Sequence, residues 1–209
     1  MPRVSRQQTE LNRVSITETA TRLYRERGLN GVSVAEIMHE AGLTHGGFYG
    51  HFESKEALAN EACVHAFEQS ANAWKEKIAA HRKKRTARKA IIDHYLAPSK
   101  RDNAAETCPV VAFSGDIAHE GRPSELHQTY VKGLQTLMEA YMSTLEPGKS
   151  PREDSANRQA AVVEYALMVG AMTLARATGK TALSDEILKS ARTFLNSDAS
   201  AIERLALNG

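Results

Sequence analysis

The sequence predicts an all-α protein, and three observations carry that prediction. Apolar residues recur at helical spacing along nearly the whole chain. No stretch combines strict alternation of apolar and polar residues with the β-branched residues and hairpin turns of a sheet. Helix starts and stops punctuate the chain, among them a capping box from Ser33 to Glu36 and the helix-stopping pair Pro147 and Gly148. We therefore expect helices joined by loops and no sheet.

The composition is typical of a protein that folds without disulfides or metals. Of the 209 residues 42% are hydrophobic, which is enough for a sizeable core. Cys63 and Cys108 are too few for a disulfide framework and fit no metal-ligand spacing, and the eight histidines form no HExxH motif. We therefore expect a cytoplasmic protein with no metal or other cofactor. No membrane partner is expected, because no segment approaches the roughly 20 apolar residues of a span. The formal net charge of +2 neither requires nor excludes a nucleic-acid partner.

Three helices are predicted near the N-terminus. The first has an apolar stripe with the spacing of one helical face, made of Ile16, Ala20, Leu23, Tyr24 and Arg27. Gly28 can close this helix in the left-handed conformation. A second, short helix begins at the Ser33–Glu36 capping box and stops at Gly42. The third, also short, has Thr44 as its N-cap candidate and runs through Phe52.

The remaining helices are predicted from their own boundary signals. Ser54 caps a long fourth helix that extends to about Ala80, and the basic run over residues 81–85 is predicted to be loop or exposed turn. Residues 98–107 are also predicted to be loop. A helix holding Ile91, Ile92 and Tyr95 is predicted next. Further helices are predicted from Pro109, from Ser124 to Leu145 with Leu134, Leu137, Met138 and Tyr141 facing the core, and after Gly179 with Ile187, Leu188, Ala191, Phe194 and Leu195. Another is predicted to begin at Ser150, with Ser150 as the N-cap, Pro151 at the first helical position and Glu153 as the reciprocal partner that reaches back to the Ser150 amide.

The helix that begins at Pro151 indicates a partner. Between Ala160 and Ala175 nearly every residue is small or apolar, so this helix has no polar face to turn toward water. One chain of this size rarely encloses a helix on all sides. We therefore expect a homodimer formed by this helix and the last one. The alternative is that this helix is the central core helix of a monomer.

The three N-terminal helices have the arrangement of a helix-turn-helix. Two short capped helices joined by a glycine-containing turn form this motif when a third helix buries their apolar faces. Here the first helix supplies that support. The segment from Thr44 to Phe52 would then lie in the major groove of duplex DNA, with its first residues nearest the bases. We therefore expect double-stranded DNA as a partner.

A dense set of residues in this region carries a family resemblance: Ile16, Ala20, Leu23, Tyr24, Gly28, Ser33, Ile37, Ala41, Gly42, Leu43, Thr44, Tyr49, His51, Phe52, Ser54, Lys55, Glu56, Ala57 and Leu58. The pattern resembles the TetR family of bacterial transcriptional regulators. The resemblance implies a helix-turn-helix DNA-binding domain over residues 1–55 and a helical effector-binding and dimerisation domain over residues 56–209. It also implies a repressor that binds a palindromic operator as a homodimer and is released by an unidentified small molecule.

The resemblance further implies roles for individual residues. It implies phosphate contacts for Ser33, Thr44, Tyr49, His51 and Lys55, base reading for His45 and Gly46, and contacts along the DNA backbone or in the minor groove for Arg3 and Arg6. Hydroxyl, imidazole and ammonium groups suit phosphate contacts physically. Phe48 and Phe52 are expected in the core. The alternative for each polar residue is ordinary solvated surface, and for the basic residues 81–89 a solvated turn is favoured over contact with DNA.

Three glycines depart from the family pattern. They are Gly46, Gly47 and Gly50, and longer polar side chains are common at the latter two positions. Each glycine costs a helix roughly 0.5 to 1 kcal/mol relative to alanine. We hypothesise that the missing side chains let the backbone at Gly46 and Gly47 approach the groove closely. His45 and Tyr49 would then make most of the direct contacts.

Effector-binding and sensor residues are expected after Ala62. Cys108 precedes Pro109 at a predicted helix N-terminus, where the helix dipole favours the thiolate, so Cys108 is a candidate sensor of oxidants or electrophiles. The alternative for Cys108 is inert packing, and Cys63 is expected in the core. Candidate walls of an effector cavity are Phe67, Trp74, Tyr95, Phe113, Met138, Tyr141, Tyr165 and Met168, with plain core as the alternative for each.

The sequence does not indicate an enzyme. Ser114, Gly115 and Asp116 lack the frame of a nucleophile elbow, and there is no phosphate-binding glycine loop or carboxylate pair on an apolar face. The alternative to a DNA-binding regulator is a helical ligand-binding or interaction protein without DNA binding. The three glycines of the predicted recognition helix favour that alternative slightly.

Overall fold

The computed structural model of the protein describes residues 6–121 and 123–197, and within these ranges it contains helices and no strand. The all-α prediction is confirmed. In chain order the helices are α1 (Arg6–Arg27), α2 (Val34–Glu40), a 3₁₀ helix (His45–Gly50), α3 (Lys55–Ala79), α4 (Lys84–Tyr95), α5 (Pro98–Asp102), a second 3₁₀ helix (Ala104–Glu106), α6 (Pro109–Ala118), α7 (Glu125–Met142), α8 (Pro151–Thr178) and α9 (Ala182–Asn196).

Several predicted helix boundaries are confirmed by their hydrogen bonds. The Ser33 hydroxyl accepts from the Glu36 amide at 3.2 Å, and the Glu36 carboxylate accepts from the Ser33 amide at 2.8 Å, so the capping box forms. Gly28 and Gly42 have φ values of +77° and +73°, in the left-handed region that glycine favours. The Ser54 hydroxyl accepts an amide hydrogen bond in the first turn of α3.

Two loop and capping predictions are wrong. Residues 98–107 hold α5 and the Ala104–Glu106 helix, because Pro98 at the first helical position is preorganised for a helix. Glu153 does not reach back to the Ser150 amide. Its carboxylate accepts from the Lys149 amide at 2.5 Å, one residue earlier.

The apolar stripe of α1 also differs from the prediction. Ile16, Ala20, Leu23 and Tyr24 are fully buried as expected, but Arg27 is exposed. Arg25 is buried in its place, because main-chain carbonyls satisfy two of its donors. The spacing of apolar residues along α1 gives no indication that Arg25 is buried.

The described chain divides into two compact units. The first comprises residues 6–69 and 104–133, and the second comprises residues 70–103 and 134–197. Each packing unit is therefore built from two separate segments of the chain. The boundary predicted at residue 55 divides the chain by function and not by packing, and it stays a prediction.

The first unit contains the N-terminal helices and α6. Its α1 contacts α2, the Ala104–Glu106 helix and α6, and α2 contacts the His45–Gly50 helix. Its fully buried side chains include Ile16, Leu23, Tyr24, Ile37, Met38, Phe48, Leu58, Cys63 and Phe113. This shared core fixes the two short helical segments against α1.

The second unit contains an aromatic cluster beside a buried ion pair. The ring of Trp74 lies 6.0 to 6.4 Å from the rings of Tyr95, Tyr141 and Tyr165. Glu164, only 1% exposed, is paired with Arg88 and accepts a hydrogen bond from the Tyr141 hydroxyl at 2.8 Å. The edge-on and tilted ring contacts and the paired charge together make this the core of the unit.

One face of α8 is apolar and exposed within the single chain. Val162 and Val163 are 42% and 46% exposed, and Leu174 is 57% exposed. Among the described helices, α8 alone is long and apolar enough to cross a membrane, but the core helix of a soluble protein can have the same length and composition. In its most apolar 18-residue stretch, 44% is buried within the chain. The predicted burial on all sides is therefore not achieved within one chain.

Candidate nucleic-acid interface

The predicted recognition helix is a 3₁₀ helix and not an α-helix. It spans His45–Gly50 and ends before Phe52, and the side chain of its N-cap residue Thr44 makes no capping hydrogen bond. The prediction of an α-helix from Thr44 through Phe52 is therefore wrong. Half of its residues are glycine, which loses more backbone entropy on ordering than any other residue. A segment this short and this poor in helix formers does not sustain α-helical hydrogen bonding.

This 3₁₀ helix has one buried side and one exposed side. Phe48 is fully buried and stacks on Phe52, with ring centroids 5.7 Å apart, so both phenylalanines lie in the core as predicted. Tyr49 is 71% exposed, and its ring stands edge-on to Phe48 at 5.2 Å. His45 and Gly46 are also exposed. His45 and Gly46, the residues predicted to read bases, are therefore exposed to solvent, and the buried Phe48 holds the helix that carries them.

Three of the predicted phosphate-contacting residues begin helical segments. Ser33 is the N-cap of α2, Thr44 is the N-cap of the 3₁₀ helix, and Lys55 is the first residue of α3. The Ser33 hydroxyl donates to the Glu36 carboxylate at 2.7 Å. Hydrogen bonds from the Ser33 amide and hydroxyl hold the pKa of Glu36 below its usual range. A phosphate contact by Ser33 would therefore compete with the capping box.

His51 is positioned by Arg13, a residue that sequence analysis missed. The Arg13 guanidinium donates to the main-chain carbonyl of His51 and to the Glu61 carboxylate, and it lies 4.3 Å from the centroid of the Phe52 ring. Glu61 also accepts from the Thr17 hydroxyl at 2.7 Å. These contacts join α1 to the end of the 3₁₀ helix and to α3. No local signal reveals Arg13, since its partners are 38 and 48 positions away.

The turn between α1 and α2 is held by Asp116 of α6. Its carboxylate accepts from the Leu29 amide at 2.8 Å and from the Asn30 side-chain amide at 3.2 Å. A Cβ on Gly28 would approach the same carboxylate to 3.0 Å, so both the positive φ and this close approach require glycine. In the sequence, Asp116 stands out only as part of Ser114, Gly115 and Asp116, which lack the frame of a nucleophile elbow. The structure shows that it anchors the turn that leads into the helix-turn-helix.

The three unusual glycines have no steric reason within the described chain. A Cβ on Gly46 or Gly50 would meet no atom within 4 Å, and on Gly47 it would make only ordinary contacts at 3.7 Å. None of the three has a positive φ. By contrast, a Cβ on Gly133 would lie 2.2 Å from the ring of Phe67. The reason for glycine at positions 46, 47 and 50 is therefore not found in the packing of the chain itself.

The two predicted arginine contacts lie at the start of the chain. Arg3 is outside the described residues. Arg6 is the exposed first residue of α1. Within residues 6–121 and 123–197, no group of His, Cys, Asp and Glu could hold a metal ion.

The predicted effector and sensor residues fall into both units. Trp74, Tyr95, Tyr141 and Tyr165 cluster in the second unit, where Met168 is fully buried and Met138 is half-buried. Phe67, Phe113 and Cys108 belong to the first unit. Cys108 is the half-buried N-cap of α6, so its predicted place at a helix N-terminus is confirmed, while its role as a sensor stays a prediction. Cys63 is fully buried, as predicted.

Comparison with known proteins agrees with this geometry. Residues 16–62 match the family model described as bacterial regulatory proteins, tetR family. Over 60 residues, 29% of this chain and 21% of the relative, the chain is 40% identical to the uncharacterized HTH-type transcriptional regulator YerO of Bacillus subtilis. Over 137 residues, 65% of this chain and 64% of the relative, it is 26% identical to the HTH-type transcriptional repressor KstR2 of Rhodococcus jostii. The chain thus spans less than two thirds of the length of either relative.

The fold is shared over a much larger part of the chain. The crystal structure of a TetR transcriptional regulator from Chloroflexus aurantiacus aligns with 93% of this chain and 97% of its own, with a TM-score of 0.74 and 23% sequence identity. At that identity the likeness shows the fold, while the sequence match to the family model is confined to residues 16–62. Residues 16–62 therefore match the tetR family of bacterial regulatory proteins, and the chain shares the fold of solved TetR regulators.

Proposed function

We propose that this protein is a DNA-binding transcriptional repressor that acts in the cytoplasm as a homodimer on a palindromic operator. A small-molecule effector releases it from DNA. The observation that carries the proposal is the outward-facing surface of the His45–Gly50 helix. Tyr49 and His45 are exposed there, while Phe48 and the Arg13 contacts hold the backbone that bears them. A rigid support under exposed hydrogen-bonding side chains is what direct contact with a groove requires.

Dimerisation through α8 and α9 is supported by their exposed apolar residues. On α8, exposed or half-buried residues at helical spacing are Val163, Ala166, Gly170, Leu174 and Ala177. On α9, Leu183 and Phe194 are 54% and 37% exposed, with the half-buried Ile187 between them. These two helices pack against each other in the second unit. Two copies of the α8–α9 pair, packed against each other, would bury the exposed apolar residues of both helices. A dimer with twofold symmetry binds two half-sites related by the same symmetry, which is a palindromic operator.

Effector binding is proposed for the aromatic cluster of the second unit. Trp74, Tyr141 and Tyr165 are at most 4% exposed, so an effector would bind by separating these rings. It would then meet the buried Glu164 carboxylate, which accepts from Arg88 and Tyr141 in the chain as it stands. Small-molecule sites in proteins combine such apolar walls with a few convergent polar groups. The proposed effector is therefore a small, largely apolar molecule with a hydrogen-bonding group.

The test of DNA binding uses the full chain and the DNA upstream of its own coding sequence. Fluorescence anisotropy would compare that duplex with a scrambled duplex of equal composition at about 50 and about 200 mM salt. We expect tighter binding to the natural duplex and weaker binding to both at the higher salt. Tyr49→Ala should weaken binding about tenfold, which is the value of one hydrogen bond to a charged group.

The control variant is Val131→Ala, which truncates another exposed side chain, on α7. It should bind DNA as the unaltered protein does, and neither variant should change the midpoint of urea unfolding by much, because both side chains are exposed. A folded protein that ignores every duplex at low ionic strength would contradict the proposal. That result would favour a helical interaction protein without DNA binding.

A further inference from the structure

Arg25 is a buried cation that is incompletely hydrogen-bonded. The residue is 7% exposed, and its guanidinium donates to the main-chain carbonyls of Ala66 at 2.7 Å and Ala105 at 3.2 Å. Both acceptors are neutral. Its Nε is buried and makes no hydrogen bond to any residue that the structure describes. A buried guanidinium with an unused donor is suited to hold an additional anionic oxygen.

Cys108 lies beside this cation. Cys108, Glu106 and Cys63 lie near enough to Arg25 that their ionised forms would attract the guanidinium, and the Ala105 carbonyl that Arg25 binds is three residues from Cys108. Cys108 is the half-buried N-cap of α6, at the positive end of that helix dipole. The neighbouring Thr107 is 1% exposed, and within the described chain its hydroxyl also lacks a hydrogen-bond partner.

The two cysteines differ in their surroundings. Cys63 is fully buried, and burial raises the pKa of its thiol to about 12. Cys63 is therefore a neutral thiol that a dissolved oxidant does not reach. Cys108 is partly exposed and is the thiol of the pair that a small reagent can approach.

We propose that Cys108 is a peroxide-reactive thiol whose oxidised form is held by the unused donors of Arg25 and Thr107. The oxidant is a small hydroperoxide. The Cys108 thiolate attacks the terminal oxygen of the hydroperoxide, an S–O bond forms, and the O–O bond breaks. Sulfur loses two electrons to the peroxide, and the other oxygen leaves as an alkoxide that is protonated to an alcohol, or as hydroxide that is protonated to water when the oxidant is hydrogen peroxide. The product is a sulfenic acid, whose ionised oxygen accepts from the Arg25 Nε–H and the Thr107 hydroxyl.

This modification would act on α1. Arg25 belongs to α1, and its guanidinium ties that helix to the Ala104–Glu106 helix through the Ala105 carbonyl. An oxygen bound at the Arg25 Nε would draw the guanidinium toward Cys108 and away from the Ala105 carbonyl. We therefore expect oxidation to shift α1 and to weaken DNA binding. This regulatory step rests on the proposed function, whereas the thiol chemistry does not.

The chemical test measures sulfenic acid formation on the full chain treated with hydrogen peroxide. Dimedone trapping and peptide mass spectrometry would give the rate at Cys108, with the urea-unfolded protein as the reference for an ordinary cysteine. We expect native Cys108 to react at least about tenfold faster than in the unfolded chain, and native Cys63 to stay unlabelled. Equal rates in the two states, or a Cys63–Cys108 disulfide in place of the sulfenic acid, would overturn the proposal.

Two variants separate the role of the donors from the reactivity of the thiol. Arg25→Lys keeps the charge but removes Nε, and Thr107→Val keeps the shape but removes the hydroxyl. Each should slow sulfenic acid formation several-fold, whereas Arg22→Lys on the same helix should not. If Arg25→Lys fails to fold, the rate of sulfenic acid formation in Thr107→Val still tests the role of the donors. Unchanged rates in the folded donor variants would overturn the proposed role of the donors.

The regulatory step is tested by DNA affinity before and after peroxide. The oxidised protein should bind the operator more weakly, and Cys108→Ser should keep its affinity under the same treatment. Oxidation at Cys108 without a change in affinity would overturn this step. Failure of the reduced protein to bind any duplex would instead count against the proposed function and leave the thiol measurements intact.

Discussion

Glu164 carries a buried charge in the second unit, and Arg88 neutralises it. The side chains of Arg88 and Glu164 are 14% and 2% exposed, and the Arg88 Nε donates to the carboxylate at 3.1 Å. Burial alone would lower the pKa of Arg88, but the hydrogen bond to Glu164 and the nearby Tyr141 raise it above its usual value. Breaking such a pair leaves an uncompensated charge in a medium that solvates it poorly.

We predict that Glu164→Gln lowers the free energy of unfolding by about 3 kcal/mol, because the buried guanidinium loses its counter-charge. Urea unfolding would measure the change. The matched control is Asp93→Asn, in an exposed pair with Lys89 whose side chains are 39% and 59% exposed. That variant should lose less than about 1 kcal/mol. Equal losses in the two variants would show that the burial of the Glu164 pair does not matter.

At the scale of elements, the His45–Gly50 helix is locally weak and externally supported. Its glycines disfavour a helix, yet Phe48 anchors it in the core and Arg13 binds the carbonyl of His51 at its end. Tertiary contacts therefore override propensity here. Because a Cβ on Gly46 would meet no atom within 4 Å among the described residues other than its own chain neighbours, a methyl group there has room in the protein alone.

We predict that Gly46→Ala raises the free energy of unfolding by about 0.5 kcal/mol but weakens operator binding. The alanine has less backbone freedom to lose on folding, while its methyl group separates the backbone from the groove. Gly115→Ala on α6 is the control, because a Cβ there also meets no atom within 4 Å. It should stabilise similarly without an effect on DNA. Unchanged DNA affinity in Gly46→Ala would contradict the close-approach hypothesis.

At the scale of the whole molecule, the exposed apolar stripes of α8 and α9 support the proposed homodimer. Leu174 is 57% exposed and Leu183 is 54% exposed, and stripes of this kind are seldom left in water. The apolar character of α8 on all sides is explained if one side packs within its own unit and the other side packs against α8 of a second copy.

We predict that Leu174→Glu raises the dimer dissociation constant by at least about tenfold, because a carboxylate would be buried in an apolar contact. Sedimentation equilibrium at micromolar concentration would measure it. Operator affinity should fall with dimerisation, since each chain would then bind a half-site alone. Val131→Glu on α7 serves as a control for added charge at an exposed valine. A Leu174→Glu protein that remains dimeric would place the interface elsewhere.

Helix starts and stops could be predicted from the sequence because their partners are local. The Ser33 hydroxyl accepts from the Glu36 amide and the Glu36 carboxylate accepts from the Ser33 amide, across three residues. The left-handed cap of Gly28 depends on that glycine alone. The family pattern over residues 16–62 is likewise carried by a contiguous segment. These features follow from neighbours in the chain, so they are visible before any folding is known.

The tertiary structure decided which side chains support the candidate site. Arg13 reaches residues 38 and 48 positions away, Arg25 reaches Ala105 80 positions away, and Asp116 reaches Leu29 87 positions away. It also decided that the predicted recognition helix is 3₁₀, since packing around Phe48 outweighs the weak local preference of a glycine-rich segment. Local propensities are worth tenths of a kcal/mol to about 1 kcal/mol per residue, whereas burial and long-range pairing are worth several kcal/mol, so burial and pairing determine the site.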